Sequence, residues 1–321
     1  MNPVTEPITS SDHIIASAAK LSETSGKRKM VAVAGAQDPD VIGALVSANA
    51  DGILDATLFG DKSKIEEIAE REKFDIAGLD VVHNADAGKA TYEAVKMAAE
   101  GKADVIMKGF VSTSALLRTV LSKEFNLRTK NTVSHTAVLD IPGYHKLLSM
   151  TDGGMVVHPD REQKKQIIEN AVLVCKALGL SPVKVALSGA VDAEYDSVPD
   201  SKECQDLIEE ISLKGTLDVE IQGPLTFDAA TSKEMAAKKG LEGPVAGDAD
   251  IYLVSTLEEC NIIAKSLINF ADTVFAGVIA GARVPVSLVS RTDTMKNKKA
   301  SVSIACLVAE YYQTEGFGGA A

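Results

Sequence analysis

Tryptophan is absent from this 321-residue chain, and aromatic residues make up only 4% of it. A core without large rings must be filled by Val, Ile, Leu and Ala, the composition of parallel sheets covered by helices, and the 45% hydrophobic fraction suffices for that. Positive charge is also short: 33 Lys and Arg against 45 Asp and Glu leave a formal net charge of -12. This argues against a broad basic face for nucleic acid or an anionic membrane, so any anionic ligand must be held by a local cationic cluster. The four cysteines, Cys175, Cys204, Cys260 and Cys306, form no CxxC pair. They read as small core residues in a reducing compartment rather than as a zinc ribbon or redox motif. No apolar run reaches the ~18 residues of a membrane span. The N-terminus lacks the basic start and apolar stretch of a secretion signal, and a cytoplasmic protein is expected.

What is present is an alternation of short β-branched runs with longer helical patterns, the signature of βαβ units. MVAVAG (30–35) reads as a strand, and the helix after it starts with Asp38 as N-cap and Pro39 in its first turn. The same rhythm continues through VIMKG and, from about residue 137, through TAVLDI, the long helix of DREQKKQIIENAVLVCKALG, VKVALSGA, LDVEIQGPL, ADIYLVS, TVFAGVIAG and VPVSLVS to a last helix near 299–313. No linker or repeat divides the chain. The expected fold is α/β with two domains of parallel-rich sheets flanked by helices. A first domain is expected to comprise 1–136 plus 287–321, with 137–286 as an inserted second domain and the final helix returning to pack on the first.

Two stretches carry chemistry. In MKGFVSTSALLR, Lys108 and Gly109 end a strand, Ser112, Thr113 and Ser114 open a helix, and Arg118 lies further along it. Free N–H groups, hydroxyls and a guanidinium make a phosphate site; ordinary N-capping by Ser112 or Thr113 with a solvated Arg118 accounts for the same residues. In VPVSLVSRTD, Ser290, Arg291 and Asp293 fall at the carboxyl end of a strand, where open α/β sheets place ligands. There Arg291 can fork an anion, Asp293 can accept a proton and Ser290 can donate to an oxyanion. The alternative makes Thr292 or Asp293 a cap of the last helix and Arg291 half of a surface ion pair. Lys296, Lys298 and Lys299 read as a solvated face, and His135, among apolar neighbours, as a structural histidine. The five histidines show no paired spacing for a metal.

Taken in order, MKGFVSTSALLRTVL with NLRTKNTVSH, DREQKKQIIENAV, QGPLTFDAA, STLEECNIIAKSL and FAGVIAGARVPVSLVSRTD resemble the phosphate acetyl/butyryl transferase family, more closely its butyryl branch. The resemblance covers the chain from about residue 100 onward. It implies reversible acyl transfer between coenzyme A and phosphate, with acyl-CoA and phosphate as partners, no metal and no cofactor beyond coenzyme A as substrate. It also implies an isocitrate/isopropylmalate dehydrogenase-like two-domain fold, with the active site in the cleft between the domains, and a homodimer or higher oligomer. Its Ser-Arg pair falls on Ser290 and Arg291, its helix arginine on Arg118, and the base of the butyryl-type pattern on Asp293; the acetyl-type aspartate falls where this chain has Asn297. Lys108, Gly109, Ser112, Thr113, Arg128 and Asn261 are implied as phosphate or coenzyme A contacts. Cys260 replaces the glycine of the family's Glu-x-Gly-Asn. A non-catalytic coenzyme A-binding protein and a metal- and NAD-dependent decarboxylating dehydrogenase are the rival readings.

Overall fold

Alternation of strand and helix persists along nearly the whole chain, of which the computed structural model describes residues 4–193, 199–215 and 217–316. The first part runs α1 (Ser11–Ser25), β1 (Lys29–Ala34), α2 (Pro39–Ala50), β2 (Leu54–Gly60), α3 (Lys62–Glu72), β3 (Asp80–His83), α4 (Ala87–Ala99), β4 (Val105–Lys108), α5 (Thr113–Val120), β5 (Ser134–Asp140) and β6 (Leu148–Thr151). The rest runs α6 (Arg161–Ala177), β7 (Val183–Ser188), α7 (Pro199–Lys214), β8 (Val219–Leu225), α8 (Phe227–Thr231), α9 (Lys233–Lys238), β9 (Ile251–Leu253), α10 (Leu257–Phe270), β10 (Val274–Ala280), β11 (Val286–Ser287) and α11 (Met295–Glu315).

Local signals set the helix starts. Asp38 accepts the Val41 N–H at 2.9 Å ahead of Pro39, and Asp160 forms a reciprocal capping box with Gln163 at the head of α6. The strands join one sheet in the order β3-β2-β1-β4-β11-β10-β5-β6-β9-β7-β8. Pairing is parallel everywhere except at β11–β10, β10–β5 and β5–β6. Helices cover both faces, so strands are buried on both sides: in β1, Val31 and Val33 enter the core shared with α2 and α11, while Ala32 and Ala34 enter the one shared with α4 and α5. No helix among the described residues is long and apolar enough to cross a membrane.

The strand order reverses between β1 and β4, and such a switch point opens a crevice beyond the carboxyl ends of the strands. α11 packs on α1, α2 and β10. Its N-terminus, directly after the Ser290–Asp293 loop, thereby reaches this crevice.

The expected strand over 284–290 is shorter than its apolar pattern suggests: only Val286 and Ser287 pair on both sides. Pro285 has no N–H to give the ladder. In this register Leu288 comes opposite Lys108, where β4 ends, and on the β10 side the Leu288 N–H donates to the Gly277 carbonyl at 3.1 Å.

Candidate active site

At the switch point the turn after β4 is pressed onto the turn after β1. A Cβ on Gly109 would stand 2.1 Å from the Gly35 carbonyl oxygen, so only glycine fits. Lys108, the last residue of β4, is 6% exposed, and its nearest hydrogen-bond acceptor is the Gly109 carbonyl at 3.4 Å. Burial, then the neighbouring Arg291, push its pKa below the usual lysine range. The result is a buried, poorly compensated ammonium beside a guanidinium, a local cationic cluster on an acidic protein.

Lys298 corrects the expectation of a solvated lysine face. It is 2% exposed, donates to the Asp293 carbonyl at 2.7 Å and lies 3.7 Å from the carboxylates of both Asp38 and Asp40. Lys299 is half-buried and pairs with Asp51, while Lys296 is exposed.

The Ser290–Asp293 segment folds back on itself. The Ser290 N–H donates to Asp293 Oδ2 at 2.5 Å, the Asp293 N–H to the Ser290 carbonyl at 3.3 Å, and Asn297 Nδ2 lies 3.4 Å from Asp293 Oδ1. Asp293 is buried; Ser290 and Arg291 are exposed. Neither Thr292 nor Asp293 caps the last helix: Thr294 does, accepting the Asn297 N–H at 3.2 Å. The Arg291 guanidinium stacks 5.1 Å from the centre of the Phe110 ring and forms no ion pair with a described residue.

A cavity of about 450 Å³ opens beside this segment, between α10, the loop after β6 and the β5/β10 face of the sheet. Ser290, Thr292, Asp293, Thr113 and Asn261 line it. Lys108 adjoins through its charge interaction with Arg291 and Asp293. Gly109, Ser112, Arg118 and Arg128 are not among its lining residues. Ser112 caps α5, accepting the Ala115 N–H at 3.1 Å. Arg118 is exposed in the last turn of α5, and Arg128 is exposed in a loop whose backbone bridges to Ala282. Among the described residues, no group of three or more His, Cys, Asp or Glu is gathered as a metal site.

His135 is buried in β5, as expected of a structural histidine, and it also lines the cavity. Its Nε2 lies 3.3 Å from the Leu288 carbonyl, two residues before Ser290, while its Nδ1 is buried with no hydrogen-bond partner in the protein. Burial lowers its pKa, so the ring is neutral, and the Leu288 carbonyl selects the tautomer with the proton on Nε2. Gly277 makes this possible, because the Leu288 carbonyl occupies the place of its missing side chain. Sequence reading missed this contact, which spans 153 residues. Cys260 also lines the cavity, and burial pushes its thiol up to about 12, so it is protonated and unsuited to nucleophilic attack.

The sequence pattern described as "Phosphate acetyl/butaryl transferase" matches residues 84–306. The phosphate butyryltransferase of Clostridium beijerinckii is 39% identical over 282 residues, 88% of this chain and 93% of that protein. The phosphate acetyltransferase of Rhizobium meliloti is 33% identical, over 85% of this chain and 86% of its own. Among solved structures, a branched-chain phosphotransacylase from Enterococcus faecalis superposes with a TM-score of 0.77 at 29% identity, covering 88% of this chain and 99% of that one. A 4-hydroxythreonine-4-phosphate dehydrogenase from Klebsiella pneumoniae shares the fold alone, with a TM-score of 0.56 at 13% identity and 88% of this chain covered against 100% of its own. The pattern match spans more than half of the chain and takes in the Ser290–Asp293 loop, α10 and the crevice at β4, so the chain belongs to the phosphate acetyl/butyryl transferase family.

Proposed function

We propose that the chain catalyses reversible acyl transfer between coenzyme A and inorganic phosphate. The observation that carries this reading is the burial of Asp293 against Ser290 at the mouth of a cavity, with the Arg291–Lys108 cluster alongside. A free thiol has a pKa near 8.5, so a carboxylate in reach helps form the thiolate at neutral pH. Asp293 has two oxygens, each already held once by the protein, and an ionised carboxylate still offers further lone pairs to a thiol proton.

In the acyl phosphate direction the coenzyme A thiolate attacks the carbonyl carbon, forming the C–S bond and a tetrahedral oxyanion, whose collapse then breaks the C–O bond and releases phosphate. Ser290 donates to the developing oxyanion. Arg291, Lys108 and Arg118 hold the departing phosphate, with Gly109, Ser112, Thr113 and Arg128 at its approach and Asn261 toward coenzyme A. In reverse, phosphate attacks the thioester and Asp293 returns the proton to sulfur. The protonated Cys260 gives no support to a covalent acyl-enzyme. No cofactor besides the substrate coenzyme A is required, and no metal enters a step.

The same reading divides the chain into residues 1–136 with 287–321 and residues 137–286, the first boundary falling within β5 and the second within β11. A homodimer or higher oligomer follows from the family likeness, and four cysteines that form no disulfide among the described residues suit a reducing, cytoplasmic setting. The test is thiol release from butyryl-CoA with and without phosphate. Phosphate-dependent release is expected; binding without release would indicate a coenzyme A-binding protein instead, and a change in NAD absorbance with a 2-hydroxy acid a dehydrogenase.

A further inference from the structure

The cavity beside Ser290 and Asp293 is divided by chemistry. Its rim carries the polar groups of Asn261, Lys265, Asn269, Ser290 and Thr292, whereas its deep end is closed by His135, Ala137, Cys260, Ala264 and Phe275, none of them more than 8% exposed. Three elements build that end by their own periodicities. β5 turns His135 and Ala137 to one face, two residues apart; β10 places Phe275 on the same face, opposite Leu139; α10 turns Cys260 and Ala264, four residues apart, toward the sheet. The rings of His135 and Phe275, whose centres are 6.0 Å apart, stand together at this end, and the small side chains of Ala137 and Ala264 keep the space in front of them open. Burial keeps the imidazole neutral and the thiol protonated, so the deep end offers no charge to a phosphate. An alkyl group gains by entering such a wall, and an anion loses.

We infer that this deep end receives the acyl chain, and that Ala137, Ala264 and Phe275 set the length and branching the enzyme accepts. The inference rests on the acyl-transfer reading above. The charged and the apolar parts of the substrate then separate by environment: phosphate stays with Arg291 and Lys108, and the carbonyl lies at the boundary, beside Ser290 and Asp293.

Filling the pocket tests this. Ala264→Leu, and independently Ala137→Val, should lower kcat/KM for butyryl- and isobutyryl-CoA by about tenfold or more, while acetyl-CoA changes by less than about threefold. Phe275→Leu, which shortens the wall, should raise activity with pentanoyl- and hexanoyl-CoA relative to butyryl-CoA. Retained acetyl turnover shows that each variant is folded. Active variants with an unshifted acetyl-to-butyryl ratio overturn the assignment. So does a uniform loss across all chain lengths with a raised KM for free coenzyme A, which would mark the cavity as the seat of the pantetheine arm. A parent enzyme that releases no thiol from any acyl-CoA with phosphate overturns the acyl-transfer reading itself, a result distinct from active variants with unchanged selectivity.

Discussion

At the residue scale, Asp293 and Lys108 make opposite demands on the fold. Asp293 is buried but satisfied, by the Ser290 N–H and the Asn297 amide. Asp293→Asn keeps the shape but offers one acceptor oxygen to two N–H donors and no proton acceptor; kcat is expected to fall by about 10² or more in a folded protein whose stability drops by about 1–3 kcal/mol. Steady-state assays at saturating substrate decide this, and near-normal turnover would falsify the assignment of Asp293 as base. Lys108 is buried and poorly satisfied, and its pKa is depressed first by desolvation and then by Arg291. In the unfolded chain a lysine titrates near ~10.4, so between the depressed value and that one the unfolded state binds more protons, and stability rises with pH across the window. Over the same window the folded enzyme loses the ammonium, and the KM for phosphate should climb. Lys108→Met should therefore raise Tm at neutral pH while weakening phosphate; a variant that lowers Tm and leaves the KM for phosphate unchanged would show the ammonium to be structural.

At the scale of elements, the head of α11 joins the helix to the site. Thr294 caps it, and Asn297, one turn in, accepts the Phe275 N–H at 3.3 Å with its oxygen while turning its amide toward Asp293. Thr294→Ala should cost about 1 kcal/mol, as lost caps do. Asn297→Ala leaves a buried N–H of β10 without an acceptor and should cost about 1–3 kcal/mol. It should also lower kcat, because the Asp293 carboxylate loses one of its two holds; urea melts and steady-state kinetics on the two variants separate the effects. These elements differ in how far they could be read in advance. The start of α2 was legible from Asp38 and Pro39, because capping is local chemistry, and α6 lies within the stretch DREQKKQIIENAVLVCKALG that its pattern marked as a long helix. β6 was not legible, since four buried residues between β5 and β9 carry no periodicity of their own. The true length of β11 was not either, because it depends on where β4 ends, nearly 180 residues earlier in the chain. Ser290, Arg291 and Asp293 stood out as residue types at a strand end, but the roles of His135 and Ala137 come from a cross-chain wall that no local window contains.

At the scale of the whole molecule, an enzyme with a formal net charge of -12 must bind substrates that are themselves anions. Two fields act on coenzyme A, with different reach. The repulsion arises from acidic residues spread over the surface, so it matters where the Debye length is long, about 30 Å at 0.01 M salt. The attraction comes from the buried Lys108 and the exposed Arg291, both close to the ligand, and at such short range it outlasts screening at the ~8 Å Debye length of 0.15 M salt. Adding salt to a dilute buffer therefore removes repulsion before it removes attraction. The affinity for coenzyme A, measured by titration calorimetry, should rise between about 0.01 and 0.1 M salt and fall again toward about 1 M, where the Debye length shortens to ~3 Å. In Arg291→Gln the binding should be weaker throughout, and the fall at high salt should flatten, because the term lost at high salt is the one this substitution has already reduced. A parent affinity that only declines from the lowest salt upward would mean that the local cluster governs the encounter at every range and that the acidic surface has no part in it.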